Sequence, residues 1–124
     1  MLQITDKEFN EIVAAAVKHV PEPYKSRLQD VAFLVRDKPS ASQSQSLGLN
    51  QNSLLFGLYE GVPLPKRGGA TKILPDKITL FKEPLLVVSA SLEDLVERVN
   101  HTVWHEVAHY FGLDHKMINK LDNK

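Results

Sequence analysis

Residues 105–115 read His105-Glu106-Val107-Ala108-His109-Tyr110-Phe111-Gly112-Leu113-Asp114-His115, the pattern HExxHxxGxxH. They close a long helical pattern. Ser91 is its N-cap, Asp94 occupies the third position, where an acid favours the helix dipole, and Leu92, Leu95, Val96, Val99, Val103 and Val107 make one apolar stripe. On a helix turning ~100° per residue, His105 and His109 stand about 40° and one turn apart, so both imidazoles can meet one metal ion. Glu106 lies ~60° from His109, flanking that face without being needed as a ligand. Were the helix to continue, His115 would lie about 15 Å along the axis from His105, too far for bonds of about 2 Å to one ion. Gly112 answers this, because glycine can end a helix in the left-handed conformation and turn the chain back.

HExxH alone arises by chance in on the order of one chain in a few hundred of this length, and adding Gly112 and His115 lowers that to roughly one in 10⁵. The neighbours also argue against two solvated histidines on a surface helix. Val103, Trp104, Val107, Ala108, Tyr110 and Phe111 are spread all round the helix, which marks it as buried. Buried ionisable groups need partners, and a divalent cation supplies one for this set.

Working outward, residues 5–20 predict an N-terminal helix. Thr5 and Glu8 form a capping box, Ile4 and Phe9 have staple spacing, and Phe9, Ile12, Val13, Ala16 and Val20 share a face before Pro21-Glu22-Pro23 stops it. VAFLV (residues 31–35), residues 53–59 and residues 77–81 predict strands; residues 85–88 read as strand or packed loop. The Ser/Gln-rich residues 38–52 show no periodicity and predict a mobile loop. Residues 61–72 predict a second loop, whose Gly-Gly pair lacks the Gly-Lys-Ser/Thr ending of a phosphate loop. The expectation is one α+β domain over residues 1–124: a small twisted sheet with an N-terminal helix and a C-terminal metal-binding helix.

Composition narrows the function. Fifteen basic residues balance fifteen acidic ones, which leaves no overall electrostatic attraction to nucleic acid or an anionic membrane. The absence of cysteine excludes thiolate catalysis and Cys-containing metal sites. The N-terminal stretch carries acids where a signal peptide carries bases, and no apolar run approaches the ~20 residues of a membrane span, so a cytoplasmic location is expected.

With these motifs assembled, the chain resembles the small zincin-like metallopeptidases of bacteria, the minimal-zincin family. The resemblance rests on the helix ending in proline, VAFLVRD, FGLYEGVPLP, LPDKITLFKEP and, most specifically, HEVAHYFGLDH. It implies that His105 and His109 are zinc ligands and Glu106 the general base. The third ligand in such proteins varies between histidine and an acid, so His115 is the expected third ligand and Asp114 the reserve. The implied reaction is hydrolysis of a peptide or protein substrate. Glu106 takes a proton from water made acidic by zinc and passes it to the leaving amine. The peptide would lie extended along a sheet edge, with residues 77–81 or 53–59 as the candidate strand.

Two other classes remain open. A metal-dependent ribonuclease can use the same H-x3-H-x5-H spacing but does not need Glu106. A non-catalytic zinc-stabilised binding module needs the ligands but no open position. Other residues take plainer readings: His101 beside the metal shell or on the surface, Trp104 in the core, Tyr59 and Tyr110 in packing, Glu60 as a surface acid and His19 at a helix end.

Overall fold

The capping box at the N-terminus folds as its sequence predicts. In a computed structural model, which describes residues 1–49, 54–66, 76–114 and 116–118, helix α1 spans Asp6–Lys18. Thr5 Oγ1 accepts from the Glu8 N–H, and the Glu8 carboxylate accepts from the Thr5 N–H, both at 3.0 Å. These bonds satisfy two of the donors that a helix start leaves without partners. Phe9, Val13 and Ala16 form the buried face of α1.

Strand β1 (Val31–Arg36) runs parallel to β3 (Asp76–Phe81), and β2 (Gly57–Glu60) pairs with the other side of β3 in antiparallel fashion. The sheet order is therefore β1-β3-β2. A central strand is covered more completely than an edge strand, and Ile78, Thr79, Leu80 and Phe81 are all buried. This placement corrects one expectation. Residues 77–81 are central, so of the two candidate strands only β2 lies at an edge of the sheet formed by the described residues.

Two further corrections concern helices. Within residues 38–52, Ala41–Ser46 forms helix α2, started by a second capping box: Ser40 Oγ accepts from Gln43 N–H, and Gln43 Oε1 accepts from Ser40 N–H. Residues 50–52 lie outside the described residues, as do Ser53 of the second strand expectation and residues 67–72 of the long loop. Residues 85–88 belong to helix α3 (Lys82–Val88), neither strand nor loop. Pro84 is tolerated there because the first turn of a helix has no use for its missing N–H. Leu85 and Leu86 face the core.

Helix α4 (Leu92–Tyr110) is the element around which the rest packs. It lies against α1, β2 and β3, and Leu95, Val99, Val103 and Val107 are fully buried beside Phe9, Ile78 and Leu80. Leu92, expected in that stripe, is exposed, because as the first helical residue it sits beyond the covered surface. No helix among the described residues is long and apolar enough to cross a membrane.

Candidate metal centre

Helix α4 is fixed at both ends. At its start Ser91 Oγ accepts from the Asp94 N–H at 3.1 Å, while Asp94 Oδ2 accepts from the Ala90 N–H and from Arg98 Nε. At its end Gly112 has φ +72°, and the N–H groups of Gly112 and Leu113 reach the carbonyls of His109 and Ala108 at 3.0 Å each. That is the double closure of a Schellman turn. A Cβ on Gly112 would also lie 2.7 Å from Cγ of Pro65, so the turn is pressed against the segment that follows β2.

Between these ends the burial pattern isolates one stripe. Thr102, Val103, Trp104, Glu106, Val107, Ala108 and Tyr110 are buried, His105 and His109 are half-buried, and His101 is exposed. In the C-terminal half of the helix, burial of these neighbours leaves the histidine stripe as the part open to a ligand. The His105 and His109 rings lie 4.5 Å apart, and one potential ligand atom from each of His105, Glu106 and His109 falls within 4.8 Å of the others. Glu106 joins them from beneath. Its Oε2 is 3.1 Å from His105 Nδ1, and its Oε1 is 3.6 Å from His109 Nδ1. Two imidazoles and a carboxylate oxygen form the nitrogen and oxygen donor set that suits a borderline cation such as zinc. The residues present fit a divalent metal.

The other motif residues separate. His101 stacks on His105 with centroids 6.2 Å apart, one step farther along the stripe and outside the three-residue cluster. His115 lies outside the described residues. Asp114 is exposed and its Oδ1 accepts from the Met117 N–H at 2.8 Å, so it caps the next turn. Trp104 is in the core, as its setting suggests: its Nε1 donates to the Ile118 carbonyl at 3.3 Å and its ring meets Tyr24. Glu60 is a surface group, accepting from Gln43 Nε2 at 2.9 Å and facing Lys77 Nζ at 3.8 Å.

One contact to the centre has no counterpart in the sequence reading. The main-chain N–H of Tyr59, on the edge strand β2, donates to Glu106 Oε1 at 2.9 Å. Helix α4 approaches the strand this closely because position 57 is glycine. A Cβ there would stand 2.6 Å from Thr102 Cγ2 and 3.3 Å from Glu106 Cγ. The available signal was the pair of glycines flanking Tyr59 in Gly57-Leu58-Tyr59-Glu60-Gly61.

Comparison with known proteins identifies the family and the fold. The family model described as zincin-like metallopeptidase matches residues 28–124. The chain belongs to that family. Among solved structures, this zincin-like chain is similar to a conserved hypothetical protein from T. thermophilus. The two share 26% identity with a TM-score of 0.59, over 87% of this chain and 94% of the other. No curated protein matches it. Membership of the family and the small α+β architecture agree, and both accord with a metal-dependent peptidase acting on peptide or protein substrates.

Proposed function

We propose that the chain is a zinc-dependent peptidase in which His105, His109 and His115 hold the metal and Glu106 is the general base. One observation carries this reading: the buried Glu106 carboxylate is gathered beside two half-buried helical histidines. Zinc in such a site supplies a Lewis acid that polarises a carbonyl and makes water acidic near neutral pH. The protein supplies the rest. His105 and His109 are presented one helix turn apart with their rings 4.5 Å from each other, and the spacing after the Gly112 turn supports His115 as the third ligand. Glu106 takes the proton of the attacking water and hands it to the departing amine, with Oε1 anchored by Tyr59 N–H and Oε2 turned towards His105. β2 borders the centre at the sheet edge, which suits an extended peptide laid along that strand.

The experiment is a mixed peptide library and a structured RNA, each incubated with the zinc-loaded chain and with Glu106→Gln. An amide cannot accept the proton, so peptide cleavage is expected to fall by roughly 10²–10⁴-fold in the variant while zinc stays bound. RNA cleavage that survives in Glu106→Gln would transfer the site to the ribonuclease class. Zinc bound with neither substrate cut would favour the binding module.

A further inference from the structure

Among the described residues, two contacts fasten Tyr59 in the run Gly57-Leu58-Tyr59-Glu60-Gly61, and a glycine makes room for each. On one side, Tyr59 N–H reaches Glu106 Oε1 across 47 residues of sequence, over the gap that Gly57 leaves against Thr102 and Glu106. On the other, the Tyr59 hydroxyl donates to Asp76 Oδ1 at 2.8 Å, and Asp76 is 1% exposed at the start of β3. A Cβ on Gly61 would collide with Asp76 Oδ1 and come within 2.8 Å of the Tyr59 hydroxyl oxygen. The Tyr59 ring also stands edge-on to Tyr110, 5.8 Å away and one residue beyond His109.

Among the described residues the four-residue strand β2 pairs with β3 at the end of the sheet order, and strands at a sheet's margin open at lower free energy than a core strand. A glutamate side chain is itself flexible, and holding it in one orientation has an entropic cost. The two attachments of Tyr59 address both problems. We propose that Tyr59 is a positioning residue for Glu106: its hydroxyl bond to buried Asp76 locks β2, so that its main-chain N–H holds the Glu106 carboxylate beside His105 and His109. The inference rests on the peptidase reading for its catalytic consequence, but its structural content can be measured separately.

The test combines amide hydrogen exchange at Tyr59 with kinetics on those library peptides that the wild type cleaves, using the purified full chain. In Glu106→Gln the side-chain oxygen still accepts, so Tyr59 N–H should exchange as slowly as in the wild type. In Glu106→Ala it should exchange at least about tenfold faster. Tyr59→Phe, which cuts the tie to Asp76, should also speed that exchange. It should lower kcat by about tenfold or more, with KM little changed, since misplacement by an ångström can cost up to ~10²-fold. Asp76→Asn keeps an acceptor and should stay near the wild type in both readouts. Should Tyr59→Phe not fold, Asp76→Ala takes its place. Exchange at Tyr59 that is indifferent to Glu106→Ala, or a Tyr59→Phe effect confined to KM, overturns the proposal. Full peptide cleavage by Glu106→Gln overturns the peptidase reading instead, and leaves the exchange pattern to judge the positioning.

Discussion

Asp114 turns its carboxylate back onto its own chain: Oδ1 accepts the main-chain N–H of Met117 at 2.8 Å, and the Asp114 carbonyl accepts that of Ile118 at 3.0 Å. An acid employed as a cap has a structural reason to follow the Gly112 turn, independent of any metal. Asp114→Ala should therefore leave zinc affinity within about threefold of the wild type and cost about 1 kcal/mol of stability, the usual worth of a lost cap. His115→Ala should weaken zinc binding by more than about 100-fold, since even residues that merely support a ligand are worth 10–100-fold. Isothermal titration with zinc and urea unfolding measure the two effects. A larger affinity loss in Asp114→Ala than in His115→Ala would move the third ligand to Asp114.

The histidine stripe makes a second comparison. His105 and His109 stand 4.5 Å apart with Glu106 between them, whereas His101 is exposed and 6.2 Å from His105. His109→Ala should abolish measurable zinc binding, and His101→Ala should leave it nearly intact. Metal analysis after dialysis should give about one zinc per chain for the wild type and His101→Ala, and near none for His109→Ala. Equal losses would mean that His101 belongs to the donor set.

What the sequence made legible follows the range of the interactions involved. The caps at Thr5 and Ser91, the Gly112 turn and the convergence of His105 with His109 are set within a turn or two of helix, and local spacing encodes them. α2 was missed although Ser40 and Gln43 carry the same capping-box signature as Thr5 and Glu8. Its helix is too short and too polar to show a buried face, so periodicity had nothing to report. α3 was missed because four apolar residues cannot distinguish strand from helix. The order of the strands, and with it the edge position of β2, depends on contacts across tens of residues. So does the bond from Tyr59 N–H to Glu106. No local pattern specifies which strand lies beside a given helix.

Acid should loosen the two capped helix starts. Glu8 is held below its usual carboxylate range chiefly by the Thr5 main-chain N–H and then by the Thr5 hydroxyl, and Asp94 chiefly by the Ala90 N–H and then by Arg98. Each lowered value means that the folded state favours the ionised group. The associated stability is complete above the ordinary carboxylate values and is lost as pH falls through the lowered ones. The urea midpoint should therefore drop as the pH falls below about 4.5, and drop less steeply in Glu8→Gln and Asp94→Asn. Identical slopes in the wild type and both variants would assign acid sensitivity to other carboxyls.

The close approach of β2 to α4 yields the last prediction. Position 57 has no room for a methyl group: its Cβ would stand 2.6 Å from Thr102 Cγ2, 3.3 Å from Glu106 Cγ and 3.3 Å from the Thr79 carbonyl oxygen. Gly57→Ala should therefore destabilise the protein by about 1–3 kcal/mol, the range for an extra methylene forced into a packed core. The clash is sharpest with Thr102, whose hydroxyl donates to the Arg98 carbonyl at 2.7 Å. Thr102→Ser keeps that hydroxyl bond and removes Cγ2, so it should recover part of the loss when combined with Gly57→Ala. Because the two residues touch, their effects should not add, and a double-mutant cycle by urea unfolding reads the coupling directly. Zinc affinity should change little in the double variant, because the atoms nearest the added methyl belong to Thr102, Glu106 and Thr79 rather than to either histidine. A neutral Gly57→Ala, or full additivity with Thr102→Ser, would mean that the spacing of strand and helix is set elsewhere than at this contact.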